Sequence, residues 1–181
     1  MARIDAVPAD QMTPRQKEVH DRIASGPRGR VRGPLAVWLH SPELADRAQH
    51  LGEYLRYAAI PPKLSELAIL VTARHWTAQF LWWVHAPIAE RNGLARSAID
   101  AIAARRVPAF SDRDEETIYL FVTELLAGKS PAAATYERAE ALLGTKGVVD
   151  LGAIVGYYSL GAFTVATALC ELPDGEQPPL S

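Results

Sequence analysis

The chain has 181 residues, of which 49% are hydrophobic and 22% are charged, and this composition is typical of one globular domain with a sizeable core. The formal net charge of -2 provides no broad basic surface, so we expect no nucleic-acid partner. The single cysteine, Cys170, excludes an internal disulfide and a Cys-x-x-Cys redox pair.

We expect a cytoplasmic protein without a membrane span. Residues 1–10 lack the apolar core of a signal peptide, and one free thiol is compatible with a reducing compartment. The longest apolar stretch, 148–172, contains Asp150, several hydroxyl side chains and three glycines. A membrane span would be more uniformly apolar, so we interpret this stretch as a buried helix.

In chain order, the signals are almost all helical, with short loops of glycine and proline between them. The first helix follows Thr13, and the glycine- and proline-rich stretch 26–34 is a predicted loop. Ser41 is a predicted hydroxyl cap, because a proline and an acid follow it. Pro87 lies inside a predicted helix, which Gly93 is predicted to end in a left-handed conformation. The predicted helices cover residues 15–25, 35–39, 42–58, 63–75, 80–92, 96–105, 111–128, 130–144 and 147–171.

These elements predict the fold class. No run alternates polar and apolar residues over strand length, and neither heptads nor a clear repeat is visible. The sequence therefore predicts an all-α, single-domain bundle of seven to nine helices over residues 1–181. Its expected core is the helical hairpin 63–93.

The most informative feature is a glutamate and a histidine nineteen positions apart in that hairpin. Glu66 and His85 each lie on the apolar face of a predicted helix, and the polar break 74–77 can turn the chain between them. Burial of either charged group alone would be costly, so we expect the two side chains to meet in one apolar pocket. Such a pair serves either acid–base catalysis or a structural link between two helices, and the sequence leaves both alternatives open.

The stretch from Glu66 to Leu94 has the spacing E-x(11)-A-x-x-L-x-W-x-H-x(7)-G-L. This pattern resembles the core of the carboxymuconolactone decarboxylase family, which includes the alkylhydroperoxidase-like proteins. Glu66 matches the family's glutamate, Trp82 or Trp83 its tryptophan, and His85 its histidine.

Further segments carry the same resemblance over most of the chain. The loop 26–34 and the following Ser41-Pro42 resemble the N-terminal region of the longer decarboxylase-like members. The segments Gly156-Tyr157-Tyr158 and Pro173-Asp174-Gly175 resemble their C-terminal region.

The peroxidase branch of the family has two cysteines, at the positions of Ala78 and Leu81 in this chain. Its chemistry requires a thiolate nucleophile and a resolving thiol, and an alanine and a leucine supply neither. Cys170 lies on a distant segment. The resemblance therefore favours the decarboxylase branch over a thiol peroxidase.

The decarboxylase resemblance implies a cofactor-independent lyase that acts on a small carboxylated or lactone-like compound in the catabolism of aromatic compounds. Loss of carbon dioxide leaves electron density on the ring oxygen, so a catalyst should hold the substrate anion and deliver a proton to carbon. His85 is the candidate general acid or proton shuttle, and Glu66 would orient or charge it.

Other side chains are candidate substrate-binding residues. Arginines can hold a carboxylate through two parallel hydrogen bonds. Trp38 and His40 either line the mouth of the pocket or pack within a loop. Tyr157 or Tyr158 either donates a phenol proton or packs in the core. The candidates are Arg28, Arg30, Arg32, Arg56, Trp38, His40, Trp82, Trp83, Tyr157 and Tyr158.

The remaining expectations concern cofactors, assembly and alternative functions. No cofactor motif is visible, and the five histidines show no His-x-x-x-His or Glu-x-x-His spacing, so we expect no metal. Apolar area on so many helices favours a homo-oligomer, and the family's habit of forming trimers or hexamers agrees. The alternative functions are a peroxidase-like protein that works by another route and a non-catalytic small-molecule binder on the same scaffold.

Overall fold

The structure is a computed structural model that describes residues 2–128, 130–173 and 175–181. Over these residues it contains eight α-helices and no strand, so the prediction of an all-α bundle is confirmed. A short 3-10 turn, Ala9–Gln11, precedes the first helix. Asp174, part of the predicted closing loop, lies outside the described residues. The helices are α1 (Pro14–Ser25), α2 (Pro34–Trp38), α3 (Pro42–Tyr57), α4 (Pro62–His75), α5 (Gln79–Arg91), α6 (Arg96–Ala103), α7 (Arg113–Gly128) and α8 (Ala133–Ala168).

The helix starts show which local signals act as expected. Thr13 caps α1 through a reciprocal pair of hydrogen bonds with Gln16, of 3.3 Å to the threonine hydroxyl and 2.9 Å to the glutamine side chain. Ser41 precedes α3, but its hydroxyl makes no capping hydrogen bond, so that prediction is wrong. Its N–H donates to the Trp38 carbonyl at 2.8 Å, and this tight exit from α2 holds the Ser41 backbone away from the extended capping conformation.

Helix α4 lies at the centre of the bundle. Every residue from 64 to 74 is buried, and α4 packs against α3, α5, α6, α7 and α8. A helix that is mostly apolar on all faces is shielded from water only when other helices surround it. The chain then turns at Thr77, which has a φ of 49°, and α5 runs back alongside α4.

Helix α5 ends as the sequence predicts. Gly93 follows it with a φ of 91°, a conformation that favours glycine. Pro87 lies inside the helix, where it has no N–H to donate to the carbonyl one turn earlier. The other predicted helix boundaries lie within a few residues of the observed ones.

Helix α8 consists of the two predicted helices in succession, with a kink between them. Gly144, with φ 68° and ψ 169°, is its one non-helical residue among those described, so the predicted break persists as a kink. The helix is long and apolar enough to cross a membrane, but more than half of its most apolar 18-residue stretch is buried within the protein. It packs against α2, α3, α4, α5 and α7, which supports its interpretation as a core helix.

Candidate functional site

The side chains of Glu66 and His85 meet inside the hairpin of α4 and α5. Glu66 Oε2 lies 2.7 Å from His85 Nδ1, and the two residues are only 3% and 4% exposed. They come together because both helices direct the faces that carry these groups into the same interface. The contact expected from the sequence is therefore present.

A cation lies on the other side of the carboxylate. Arg56 Nε is 3.7 Å from Glu66 Oε1, and its guanidinium lies over the ring of Tyr57 at 5.2 Å. With Glu66 ionised beside this arginine, His85 Nδ1 donates the hydrogen bond to the carboxylate. Nε2 is then the imidazole nitrogen left for a ligand.

His85 lines a cavity of about 430 Å³ between α2, α3, α5, α8 and the loop 26–33. This volume suits a small organic molecule. The apolar part of its wall includes Leu35, Trp38, Phe80, Leu81, Trp83 and Ile88. The charged part consists of Arg28, Arg30, Arg32, Arg56 and Arg91, and no aspartate or glutamate is among the described residues that line the cavity.

The four predicted arginines are thus brought together. Arg32 also lies over the ring of Trp83, 5.1 Å from its centroid. Burial and the positive charges of Arg30 and Arg56 lower the pKa of Arg32 from its ordinary value. So many like charges around one cavity favour an anionic ligand.

A series of edge-to-face aromatic contacts leads away from the histidine. The ring of Tyr158 lies 5.1 Å from His85, Tyr157 lies 5.4 Å from Tyr158, and Trp38 lies 6.0 Å from Tyr157. Burial raises the pKa of both tyrosines, so their hydroxyls keep their protons at neutral pH. Trp38 Nε1 donates to Thr164 Oγ1 at 2.8 Å, which fixes the indole in the wall.

Two predicted residues lie elsewhere. Trp82 is buried against a separate, smaller depression between α5 and α6, and of this pair of tryptophans only Trp83 also lines the cavity. His40 is exposed, and its Nε2 lies 2.9 Å from the Asp5 carbonyl oxygen. Since α2 ends at Trp38, the chain has already turned outward at His40.

Sequence reasoning missed two residues of the site. Arg91 lines the cavity, and the helical spacing of positions 84, 88 and 91 could have indicated this. Gly52 lies within α3, where a Cβ would collide with Tyr157 Oη and Arg28 Nη2. In the sequence, the only indication was a glycine inside a predicted helix, and this does not show which residues pack against it.

The positions that hold cysteines in the peroxidase branch are apolar here. Leu81 lines the cavity, and Ala78 is buried just before α5. Cys170 follows α8 and does not line the cavity, and burial raises the pKa of its thiol. Within the described ranges, no three His, Cys, Asp or Glu residues cluster closely enough to hold a metal ion.

The sequence matches no known family model and no curated protein. The resemblance to the carboxymuconolactone decarboxylase family therefore rests on the motif around Glu66 and His85 and on the segments that accompany it.

Proposed function

We propose that the protein is a cofactor-independent lyase of the carboxymuconolactone decarboxylase type, acting on a small carboxylated or lactone-like compound. The observation that carries this proposal is the 2.7 Å contact between Glu66 and His85 at the wall of an arginine-rich cavity. The cavity supplies the attraction for an anion, and the pair supplies a group that can transfer a proton.

Substrate binding is the first step. The guanidinium groups attract the anionic compound, and the aromatic and aliphatic wall covers its apolar part. A ligand bound against this wall would displace water and so strengthen these electrostatic interactions.

Decarboxylation then breaks the bond between the carboxylate carbon and the ring carbon. Carbon dioxide leaves, and the electron pair of that bond spreads onto the lactone oxygen, where positive groups stabilise it. Protonated His85 donates the Nε2 proton to carbon, which leaves a neutral imidazole that solvent protonates again. Glu66 accepts from Nδ1 throughout and stabilises the imidazolium form.

The two alternative functions differ in what supports them. Anion binding by the cavity would also serve a non-catalytic binder of small molecules, so binding alone does not distinguish the two. A peroxidase gains no support from Cys170, whose partly buried thiol is disfavoured as a thiolate.

We also propose that the protein is a cytoplasmic homo-oligomer, a trimer or a hexamer. The support is an exposed apolar face on α8 that includes Val149, Leu160 and Phe163. A monomer in water would leave this face hydrated.

The experiment is a decarboxylation assay with a panel of small lactone carboxylic acids, followed by carbon dioxide release and ultraviolet absorbance. We expect at least one compound to be turned over, and His85→Gln to lower kcat by about a hundredfold or more. The variant should keep its melting temperature within a few degrees, since glutamine is also polar and similar in length. Activity retained in His85→Gln would remove the acid–base role.

A further inference from the structure

The five arginines of the cavity are not equivalent in their hydrogen bonding. Arg28 Nε and Nη2 are both buried, and among the described residues neither makes a hydrogen bond of good geometry; the polar group that interacts with this guanidinium is the hydroxyl of Tyr157. Leaving a charged donor buried and unpaired is costly, so such a group is expected to meet a ligand. No other arginine of the cavity has a buried donor in this condition within the described part of the chain.

The other arginines have other surroundings. Arg56 contacts Glu66 and Tyr57, and Arg32 lies over Trp83. Arg30 and Arg91 are exposed to solvent, so water can satisfy their donors. Arg28 is therefore the guanidinium with most to gain from an anion.

The hydroxyl of Tyr157 lies beside the Arg28 guanidinium and adds a polar atom to the same place. Both groups pack onto Gly52 of α3, where any Cβ would displace them. Burial raises the pKa of Tyr157, so its hydroxyl remains a donor at neutral pH. The absent side chain at Gly52 thus leaves room for these two polar groups to lie side by side at the wall of the cavity.

We propose that Arg28 and Tyr157 form the subsite that holds one oxyanion group of the ligand, a carboxylate or a phosphate. The apolar body of the ligand extends from this subsite along the aromatic wall toward His85. This inference rests on the proposed function and extends it, because it identifies the arginine that binds the substrate anion.

Binding of simple probes tests the subsite without any turnover. Benzoate, phenyl phosphate and the neutral benzamide are titrated into the full-length protein, and the dissociation constants are measured by calorimetry. We expect one anion to bind about tenfold or more tighter than benzamide, and the tighter of the two anions identifies a carboxylate or a phosphate group. Two anions that bind no better than benzamide would overturn the proposal.

Two variants locate the probe. Arg28→Lys keeps the charge but loses the planar fork and Nε–H, so we expect binding about tenfold weaker, and a larger loss than in Arg30→Lys. Gly52→Ala should weaken binding as well without changing any charge, whereas its control Gly128→Ala at the end of α7, whose Cβ meets open space, should bind as the wild type does. Wild-type affinity in Arg28→Lys contradicts the proposal, even if Gly52→Ala fails to fold.

The result is separable from the fate of the proposed function. Probe binding without decarboxylation would support the subsite and contradict the proposed lyase activity. Decarboxylation together with wild-type probe affinity in Arg28→Lys would support the lyase activity and contradict the subsite.

Discussion

The contact between Glu66 and His85 combines a charge with a hydrogen-bond acceptor. A carboxylate supplies both, whereas an amide of the same shape supplies only the acceptor. Under the proposed mechanism, the contributions of charge and of hydrogen bonding can therefore be separated by one substitution at Glu66.

We expect Glu66→Gln to lower kcat by about tenfold to a hundredfold while KM changes little, because Glu66 contacts the histidine and does not line the cavity. The measurement is steady-state kinetics on the compound found in the decarboxylation assay. Glu90→Gln, on the exposed side of α5, is the matched control and should leave both constants unchanged. A rise in KM of about tenfold to a hundredfold with constant kcat would show that Glu66 acts in substrate binding instead.

The sequence predicted the pairing in the site because each partner is a lone ionisable group on an apolar helical face. It could not choose between Trp82 and Trp83, because both border the depression between α5 and α6 and only the tertiary packing shows that Trp83 also reaches the cavity. It also could not place Gly52 beside Tyr157, since the contact joins α3 to α8 across the fold.

At the scale of elements, Lys63 ties the start of α4 to the start of α7. Its Nζ lies 2.7 Å from Asp112 Oδ2 and 2.8 Å from Glu115 Oε1, and Glu115 is buried. Removal of the lysine would leave a buried carboxylate without its partner, which is costly.

We expect Lys63→Met to lower the free energy of unfolding by about 2 kcal/mol at neutral pH. Urea denaturation measures it, and Lys17→Met is the matched control, since Lys17 forms an exposed pair with Asp21 and should cost less than about 0.5 kcal/mol.

The same link has a pH dependence. The hydrogen bond from Lys63, with help from the Asp114 N–H, holds the pKa of Asp112 below its ordinary value. A lowered pKa in the folded state contributes stability above the unfolded value of about 4, and this contribution disappears as the pH falls through the folded pKa. The deficit of Lys63→Met should therefore stay constant from about pH 7 to about pH 5 and shrink as the pH falls below about 4. A deficit that stays constant below about pH 4 would contradict the electrostatic explanation.

The kink in α8 predicts that substitution by alanine changes stability in opposite directions at two glycines. Gly144 has a φ of 68°, where an alanine is strained, whereas Gly152 is helical, and a Cβ would meet nothing at either position. We expect Gly144→Ala to destabilise the protein by about 1 kcal/mol, and Gly152→Ala to stabilise it by about 0.5 kcal/mol. Thermal denaturation of the two variants measures both. Stabilisation by Gly144→Ala would mean that the kink is not required.

The elements themselves were largely predictable, because proline, glycine and polar caps mark their ends locally. The failure at Ser41 has a tertiary cause, since the exit from α2 constrains its backbone. The two predicted helices on either side of Gly144 are present, because the positive φ of this glycine interrupts the helical geometry between them.

For the whole molecule, the exposed apolar face of α8 is the feature that bears on assembly. Val149, Gly156, Leu160 and Phe163 recur at helical spacing, and the ring of Phe163 packs against Trp76 at 4.6 Å. Phe163 is 50% exposed. Small residues in the middle of this face would let a second copy approach closely.

We expect sedimentation to show a species larger than the monomer, and Phe163→Lys to shift it toward the monomer, because a buried lysine without a partner disfavours an interface. Ala134→Lys, on an exposed face of the first part of α8, is the control and should leave the mass unchanged. A monomeric wild type that floats with lipid vesicles would instead assign this face to a membrane.

The enclosure of α4 makes the proposed activity a reporter of the native state. Glu66 lies on a helix that is buried among α5, α7 and α8, and its contact with His85 is part of that packing. Loss of the proposed activity and loss of helical signal should therefore follow the same denaturation curve, as expected for one cooperative transition. The amide protons of α4 should be among the slowest to exchange with solvent.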